Sequence, residues 1–165
     1  LVGDSLGMVI QGHDTTIPVT LENIAYHGKA VAAGLNNAML MLDMPFGSLN
    51  SPQQALDNAS QLLKQTQAQV VKLEGGEAQA LTIQYLVEID IPVMAHIGLT
   101  PQSVNVMGGF KTQGREKSQW ASLSADAKAV AEAGAFAVVL EGMVAPLAEK
   151  ITKQISIPMQ GKRRR

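Results

Sequence analysis

Val70-Val71-Lys72-Leu73-Glu74-Gly75-Gly76 is the stretch on which the fold turns. Its near-continuous aliphatic character reads as a strand buried on both faces, the kind found in parallel sheets. Lys72 alternates with Val71 and Leu73, so it points to the opposite face from them, and Glu74 shares its side. Working outward, the same form recurs. Leu1-Val2 runs into Gly3-Asp4-Ser5, residues 38–42 into Asp43-Met44-Pro45, and residues 92–95 into His96-Ile97-Gly98. Residues 137–140 run into Glu141-Gly142, and residues 157–159 form a sixth apolar run.

Segments of helical period lie between these runs. Residues 21–33 carry Ile24, Ala25, Val31 and Ala32, with Gly34 as a C-terminal stop. Ser51 and Pro52 open the next helix as N-cap and first helical residue, and Ala55, Leu56, Ala59, Leu62 and Leu63 form its apolar stripe. Residues 76–89, 124–133 and 146–155 complete the set. Strand and helix alternate throughout, so the class is α/β with a parallel sheet covered by helices. A doubly wound sheet and a (β/α)8 barrel both fit the count. No G-x-G-x-x-G follows any strand, which counts against a dinucleotide site.

Composition narrows the functional classes. The 165 residues are 46% hydrophobic and 16% charged, with no cysteine and a formal net charge of −1. That is too apolar for a disordered chain, and it excludes a disulfide scaffold and thiolate zinc. No apolar run approaches the roughly 18 residues of a membrane span. Lys162-Arg163-Arg164-Arg165 holds four of the 13 basic residues, and without them nine bases face 14 acids, a body charge of −5. Such a body argues against a nucleic-acid surface. The expected organisation is a catalytic domain over residues 1–161, with 162–165 a basic tail outside the fold. The absence of cysteine and of a signal-peptide pattern makes the cytoplasm the expected compartment.

The polar residues concentrate where strands end. Asp4, Asp43, Lys72 with Glu74, His96 and Glu141 each fall at the C-terminal end of a different strand, and in a parallel barrel those ends converge on one face. Each has a structural reading beside the functional one. Asp4 and Asp43 could cap helices or form turns. His96 could be a hydrogen-bonded core histidine, and Lys72 and Glu74 could simply pair. Glu141 could face solvent. Jointly these readings weaken, because charges inside a barrel mouth are costly unless paired or bound to metal. Asp4, Asp43 and Glu74 come from consecutive strands about 4.8 Å apart and can meet around one cation. An all-oxygen set suits Mg²⁺ before Zn²⁺. Glu141, two strands further on, is placed as a general base. The glycine-rich loop from Met107 to Arg115 carries two cations and reads equally as a lid, an anion contact or a plain connection.

Taken in order, several of these segments resemble one family. Leu-Val-Gly-Asp-Ser-Leu-Gly-Met at 1–8, Gln-Gly-His-Asp at 11–14, Leu-Asp-Met-Pro-Phe at 42–46 and Val-Lys-Leu-Glu-Gly-Gly at 71–76 are similar to the ketopantoate hydroxymethyltransferases (3-methyl-2-oxobutanoate hydroxymethyltransferases). So are His-Ile-Gly-Leu-Thr-Pro-Gln-Ser at 96–103 and Gly-Gly-Phe-Lys-Thr-Gln-Gly at 108–114. The resemblance covers about residues 1–158.

It implies a (β/α)8 TIM barrel of the phosphoenolpyruvate/pyruvate type, assembled as a homo-oligomer, of which this chain holds about strands 2 to 7. Strand one, the loop after strand seven, strand eight and the last helices are expected to be missing. The open edges would leave backbone groups unpaired. The implied activity is transfer of a hydroxymethyl group from 5,10-methylenetetrahydrofolate to 3-methyl-2-oxobutanoate, giving ketopantoate in pantothenate and coenzyme A biosynthesis. By resemblance, Asp4, Asp43 and Glu74 are the Mg²⁺-associated carboxylates. Asp4, Ser5, Asp43 and Lys72 contact the 2-oxo acid, Glu141 accepts the proton, and His96 supports the site. Two alternatives stand beside this reading: a non-catalytic remnant of that enzyme, and another Mg²⁺-dependent 2-oxo acid lyase of the same barrel type.

Overall fold

The computed structural model describes residues 1–162. A short helix α1 (Leu6–Val9) is followed by α2 (Leu21–Gly34), strand β1 (Met41–Asp43) and α3 (Pro52–Thr66). Then come β2 (Val70–Glu74), α4 (Ala80–Glu88), β3 (Val93–Gly98) and the short α5 (Val104–Met107). Helix α6 (Trp120–Glu132), β4 (Ala137–Glu141), α7 (Ala145–Gln154) and β5 (Met159–Lys162) complete the described chain. The strands form one parallel sheet in the order β1-β2-β3-β4-β5, so every connection steps to the next strand. That is the winding of a (β/α)8 barrel and not of a doubly wound sheet, where the order reverses at a switch point.

Local chemistry explains the helices. Thr20 and Asn23 form a reciprocal capping box at the start of α2, with Asn23 N–H donating to Thr20 Oγ1 at 3.2 Å and Thr20 N–H to Asn23 Oδ1 at 3.0 Å. Ser51 caps α3 by accepting from Gln54 N–H at 3.2 Å, and Pro52 sits in the first turn as expected. Helix α6 starts at Trp120, four residues ahead of the expected 124, because a 3₁₀ turn at Lys117–Gln119 leads into it. The indole N–H of Trp120 donates to Gly114 O at 2.8 Å, tying that start to the preceding glycine-rich loop.

The strand boundaries show what the apolar runs alone did not settle. Residues 1–2 do not form a strand among the described elements. Val2 makes a single parallel rung with Leu42, its N–H donating to Met41 O at 2.9 Å and its carbonyl accepting from Asp43 N–H at 3.0 Å. The strand expected at 157–159 lies at Met159–Lys162 instead. Pro158 has no N–H for the ladder, so it serves only as an acceptor, for Val138 N–H at 3.0 Å. Lys162, assigned above to a tail outside the fold, is therefore the last residue of β5, and residues 163–165 lie outside the described chain.

Period-two alternation sorts the sheet into two faces. Val71, Leu73, Val93, Ala95, Ile97, Val138 and Leu140 pack in one buried cluster with helix residues such as Leu62, Ile83, Leu86, Val130, Leu147 and Ile151. Burying each large aliphatic side chain stabilises by about 1.5–3 kcal/mol. The opposite face holds a small separate cluster of Val70, Met94, Ala137 and Val139, and above it the polar residues of the strand ends. Among the described residues no helix is long and apolar enough to cross a membrane.

One long-range clasp fixes the crossover after β2. Asp126 of α6 accepts from Glu77 N–H at 2.8 Å, and a Cβ placed on Gly76 would collide with that carboxylate. Gly76→Ala is expected to destabilise the chain by about 1–3 kcal/mol through this overpacking. An Asp126→Ala background should relieve only part of that cost, because the Asp126 Cβ that alanine keeps would itself collide with the new Cβ. Urea unfolding of the two single variants and the double variant checks both statements.

Candidate functional site

Register decides which polar side chains meet. Asp43 lies beside Lys72, Glu74 beside His96 and Gly98 beside Glu141 in neighbouring strands. Paired residues in a parallel ladder share a face, so all of these strand-end groups point away from the helices. Asp4, Asp43, Lys72, Glu74, His96 and Glu141 are all buried. They line one cavity of about 330 Å³ together with Ser5, Gln160 and Lys162. Ser5 is exposed at its rim and makes no capping bond to α1, which leaves its hydroxyl free to face the cavity. Gly98 lets β3 and β4 close up at this level, since with φ +92° a Cβ there would lie 2.5 Å from Glu141 O.

Lys72 is the cation of the cluster. Its ammonium sits 2.5 Å from Asp43 Oδ1 with both side chains almost wholly enclosed. Burial alone would push Lys72 toward the neutral amine, but the charges of Asp43 and Glu74 outweigh it and hold its pKa above the ordinary value. Asp43 also accepts from Asp4 N–H, through Oδ2 at 2.9 Å. Burial, and then the neighbouring Asp43 charge, raise the Asp4 carboxyl to about 6. Gln102, in the 3₁₀ turn Pro101–Ser103, reaches over the cluster: its side-chain amide donates to Asp4 Oδ2 at 2.7 Å and Met44 O at 2.9 Å.

His96 stands between two glutamates. Its Nδ1 is 3.4 Å from Glu74 Oε1 and its Nε2 is 3.2 Å from Glu141 Oε2. Burial lowers the imidazole pKa, favouring the neutral ring, and burial raises Glu74 to about 8. Glu141 goes the other way. Burial alone would raise it, but hydrogen bonds from His96 and Lys162 win, and its pKa lies below the ordinary value. The ring therefore presents Nε2 to Glu141 and Nδ1 to Glu74. The ammonium of Lys162 lies 3.0 Å from the same Glu141 oxygen.

The three carboxylates expected around one cation do not form such a set. Among the described residues no three His, Asp or Glu side chains stand so as to hold a metal ion. Glu74 is drawn aside because its Oε2 accepts from Gln102 N–H at 2.9 Å while Oε1 faces His96. Asp4 and Asp43 stay side by side on the cavity wall, and a pair of carboxylates suits Mg²⁺ when a substrate and water supply the other oxygens. Asp4 and Asp43 are thus the two residues that would hold such an ion, with Glu74 behind them. Gln102 and Lys162 are the site residues that sequence reasoning passed over. Neither bears a local signal for its contacts, which span 28 and 98 residues from Gln102 to Glu74 and Asp4.

Linkage gives a test of the Glu74 assignment. Its pKa is raised on folding, so the native state binds its proton more tightly than the unfolded chain does. Stability from this group is intact below the unfolded value, and is lost as pH rises toward about 8. Glu74→Gln cannot titrate. Its stability relative to the unsubstituted chain should therefore improve steadily from about pH 5 to pH 8. Denaturant titrations across that range check it, and a pH-independent difference would contradict the assignment.

Comparison with known proteins identifies the family. The family model described as ketopantoate hydroxymethyltransferase matches residues 1–161. A 3-methyl-2-oxobutanoate hydroxymethyltransferase from Parvibaculum lavamentivorans is 61% identical over 162 residues, covering 98% of this chain and 59% of the relative. Proteins of the same name from Bartonella bacilliformis and Magnetococcus marinus are 56% and 51% identical, each again over 98% of this chain and 60% of the relative. The chain thus spans about three-fifths of the length of the curated relatives it matches. Among solved structures, a protein described as a putative phosphonomutase from Burkholderia cenocepacia superposes with a TM-score of 0.65 at 16% identity, over 87% of this chain and 62% of that one. That likeness concerns the fold alone, and agrees with the barrel winding of the sheet. With a family model matched almost from end to end and relatives above half identity, the chain belongs to the ketopantoate hydroxymethyltransferase family.

Proposed function

We propose that this chain carries the 2-oxo acid site and the proton acceptor for hydroxymethyl transfer from 5,10-methylenetetrahydrofolate to 3-methyl-2-oxobutanoate, giving ketopantoate. The observation that carries the reading is the convergence of Asp43, Lys72 and Glu141, from three strands, and of Asp4, from the turn after the Val2 rung, on one cavity of about 330 Å³. That volume suits a small branched 2-oxo acid.

The residues divide the work by charge. Lys72 offers the cationic surface for the substrate carboxylate, and its partner Asp43 keeps it protonated. Ser5, at the rim, supplies a hydroxyl that orients the acid. Asp4 and Asp43 would hold Mg²⁺, with Glu74 set behind them through Gln102. Mg²⁺ bound there supplies Lewis acidity toward the ketone and so acidifies the proton at C3.

Glu141 takes that proton. Its lowered pKa keeps it ionised at neutral pH and makes it a weak base, adequate only for a carbon acid already polarised. The His96 ring, with Nε2 3.2 Å from Glu141 Oε2, steadies the carboxylate on the correct side of the cavity. The C3–H electron pair then forms the new bond to the donor methylene carbon, whose two carbon–nitrogen bonds break. Water supplies the hydroxyl on that carbon, and the proton from C3 and one from water end on the two nitrogens of the released tetrahydrofolate. No residue is assigned to the folate.

Exchange of the C3 proton for deuterium tests this without the folate. With 3-methyl-2-oxobutanoate and Mg²⁺, Glu141→Gln should bind the acid within about threefold of the unsubstituted chain, and slow exchange by roughly 10²–10⁴-fold, as loss of a general base does. Normal exchange in that variant would remove Glu141 as the base. Asp43→Asn should instead weaken Mg²⁺-dependent binding of the acid, read by isothermal calorimetry with and without the ion. Binding that is equally tight in both conditions would count against Asp43 as a ligand.

A further inference from the structure

The segments that build the acidic wall are joined by one uncharged residue. Gln102 follows β3, yet its amide group reaches Asp4 and the carbonyl of Met44, and its backbone N–H reaches Glu74. The partners are 98, 58 and 28 residues away in sequence. Both partners of the side chain are acceptors, so the nitrogen end of the amide must face them, and its two hydrogens are both used. The turn Pro101–Ser103 holds the residue half-buried above the cavity, and Pro101 also lines that cavity.

We infer that Gln102 is a positioning residue that pins one oxygen of Asp4 to the β1 end and draws Glu74 away, so that Asp4 and Asp43 are left together as a two-carboxylate cation site. The inference rests on the substrate-site reading above. Chemistry makes the glutamine specific. A carboxylate in its place would set oxygen against the Asp4 and Met44 oxygens. A thioether would fill the space and donate nothing. In both cases Asp4 loses the bond that fixes its rotamer, while the backbone N–H to Glu74 survives. The amide therefore acts on the orientation of Asp4 and not on the presence of charge.

Mn²⁺ is the probe, because its free-ion electron paramagnetic resonance signal reports binding without turnover. The unsubstituted chain is expected to take up Mn²⁺ in the presence of 3-methyl-2-oxobutanoate. Gln102→Met should weaken that uptake by about 10-fold or more, the usual effect of losing a hydrogen bond to a charged group. Gln102→Glu should weaken it at least as much. In the exchange assay, Gln102→Met should raise the apparent KM for the acid by about the same 10-fold factor, with kcat within about threefold. A merely structural role would lower the active fraction, and with it kcat, at unchanged KM. Circular dichroism melts of both variants separate folding from binding, and if Gln102→Met fails to fold, Gln102→Glu carries the test. Uptake undiminished in a folded Gln102→Met or Gln102→Glu chain overturns this inference alone. No uptake by the unsubstituted chain overturns the substrate-site reading and this inference with it. Uptake without C3 exchange in the unsubstituted chain removes the proton-transfer reading, while the role of Gln102 stands or falls on the Mn²⁺ affinities.

Discussion

A lysine ammonium enclosed at the end of a parallel sheet is the constraint on which the rest of the site depends. Lys72 is only 5% exposed, and an isolated ammonium there would cost several kcal/mol or lose its proton. It does neither, because Asp43 meets it directly and Glu74 and Asp4 stand within its field. The same three carboxylates would repel one another without it. Four ionisable groups from three neighbouring chain segments are thus mutually dependent, and the geometry of each is set by the others. Such a cluster is poor value for stability alone, where a hydrophobic filling would serve better. It lies at the C-terminal end of the strands, the face on which the sites of parallel barrels are built.

Around that cluster the sheet divides its labour by parity. Odd and even strand positions face opposite ways, so one set of side chains binds the helices while the other builds a cavity. Val71 and Leu73 anchor β2 in the helix-packed core, and Lys72 between them reaches the cavity wall. A shift of one residue in any strand would exchange these roles and bury charge against helices. The helix packing therefore does more than stabilise: it locks the register that brings Asp43 to Lys72 and Glu74 to His96.

His96 extends the arrangement across the sheet, toward Glu141. Two glutamates face one imidazole, yet burial pushes Glu74 up while hydrogen bonds hold Glu141 down. Two residues of the same type are thereby pushed in opposite directions, and the one held ionised is the one proposed above as the proton acceptor. Lys162 adds a cation to that same side, which sharpens the difference at the expense of basicity.

Much of this was legible in the residues. Alternating apolar runs and helical stripes require a parallel α/β fold, and Ser51-Pro52 opens its helix for the reasons that composition suggests. The strand-end positions of Asp43, Lys72, Glu74, His96 and Glu141 put them on one rim, because strands of a parallel sheet end together, and Asp4 joins them from the turn after the Val2 rung. The strand boundaries were less legible. Val2 supplies one rung where a strand was expected, and β5 begins two residues late because a proline cannot donate. What the sequence by itself determined is which chemical groups this rim carries and which face of each strand they occupy, since period and charge are properties of the local chain. What only the tertiary structure decided is who meets whom. Glu74 turns from the expected cation site to His96 and Gln102, Lys162 joins Glu141, and a plain glutamine ties Asp4 to Glu74. Those contacts join segments tens of residues apart, and their outcome rests on competition between burial and pairing that no local pattern encodes.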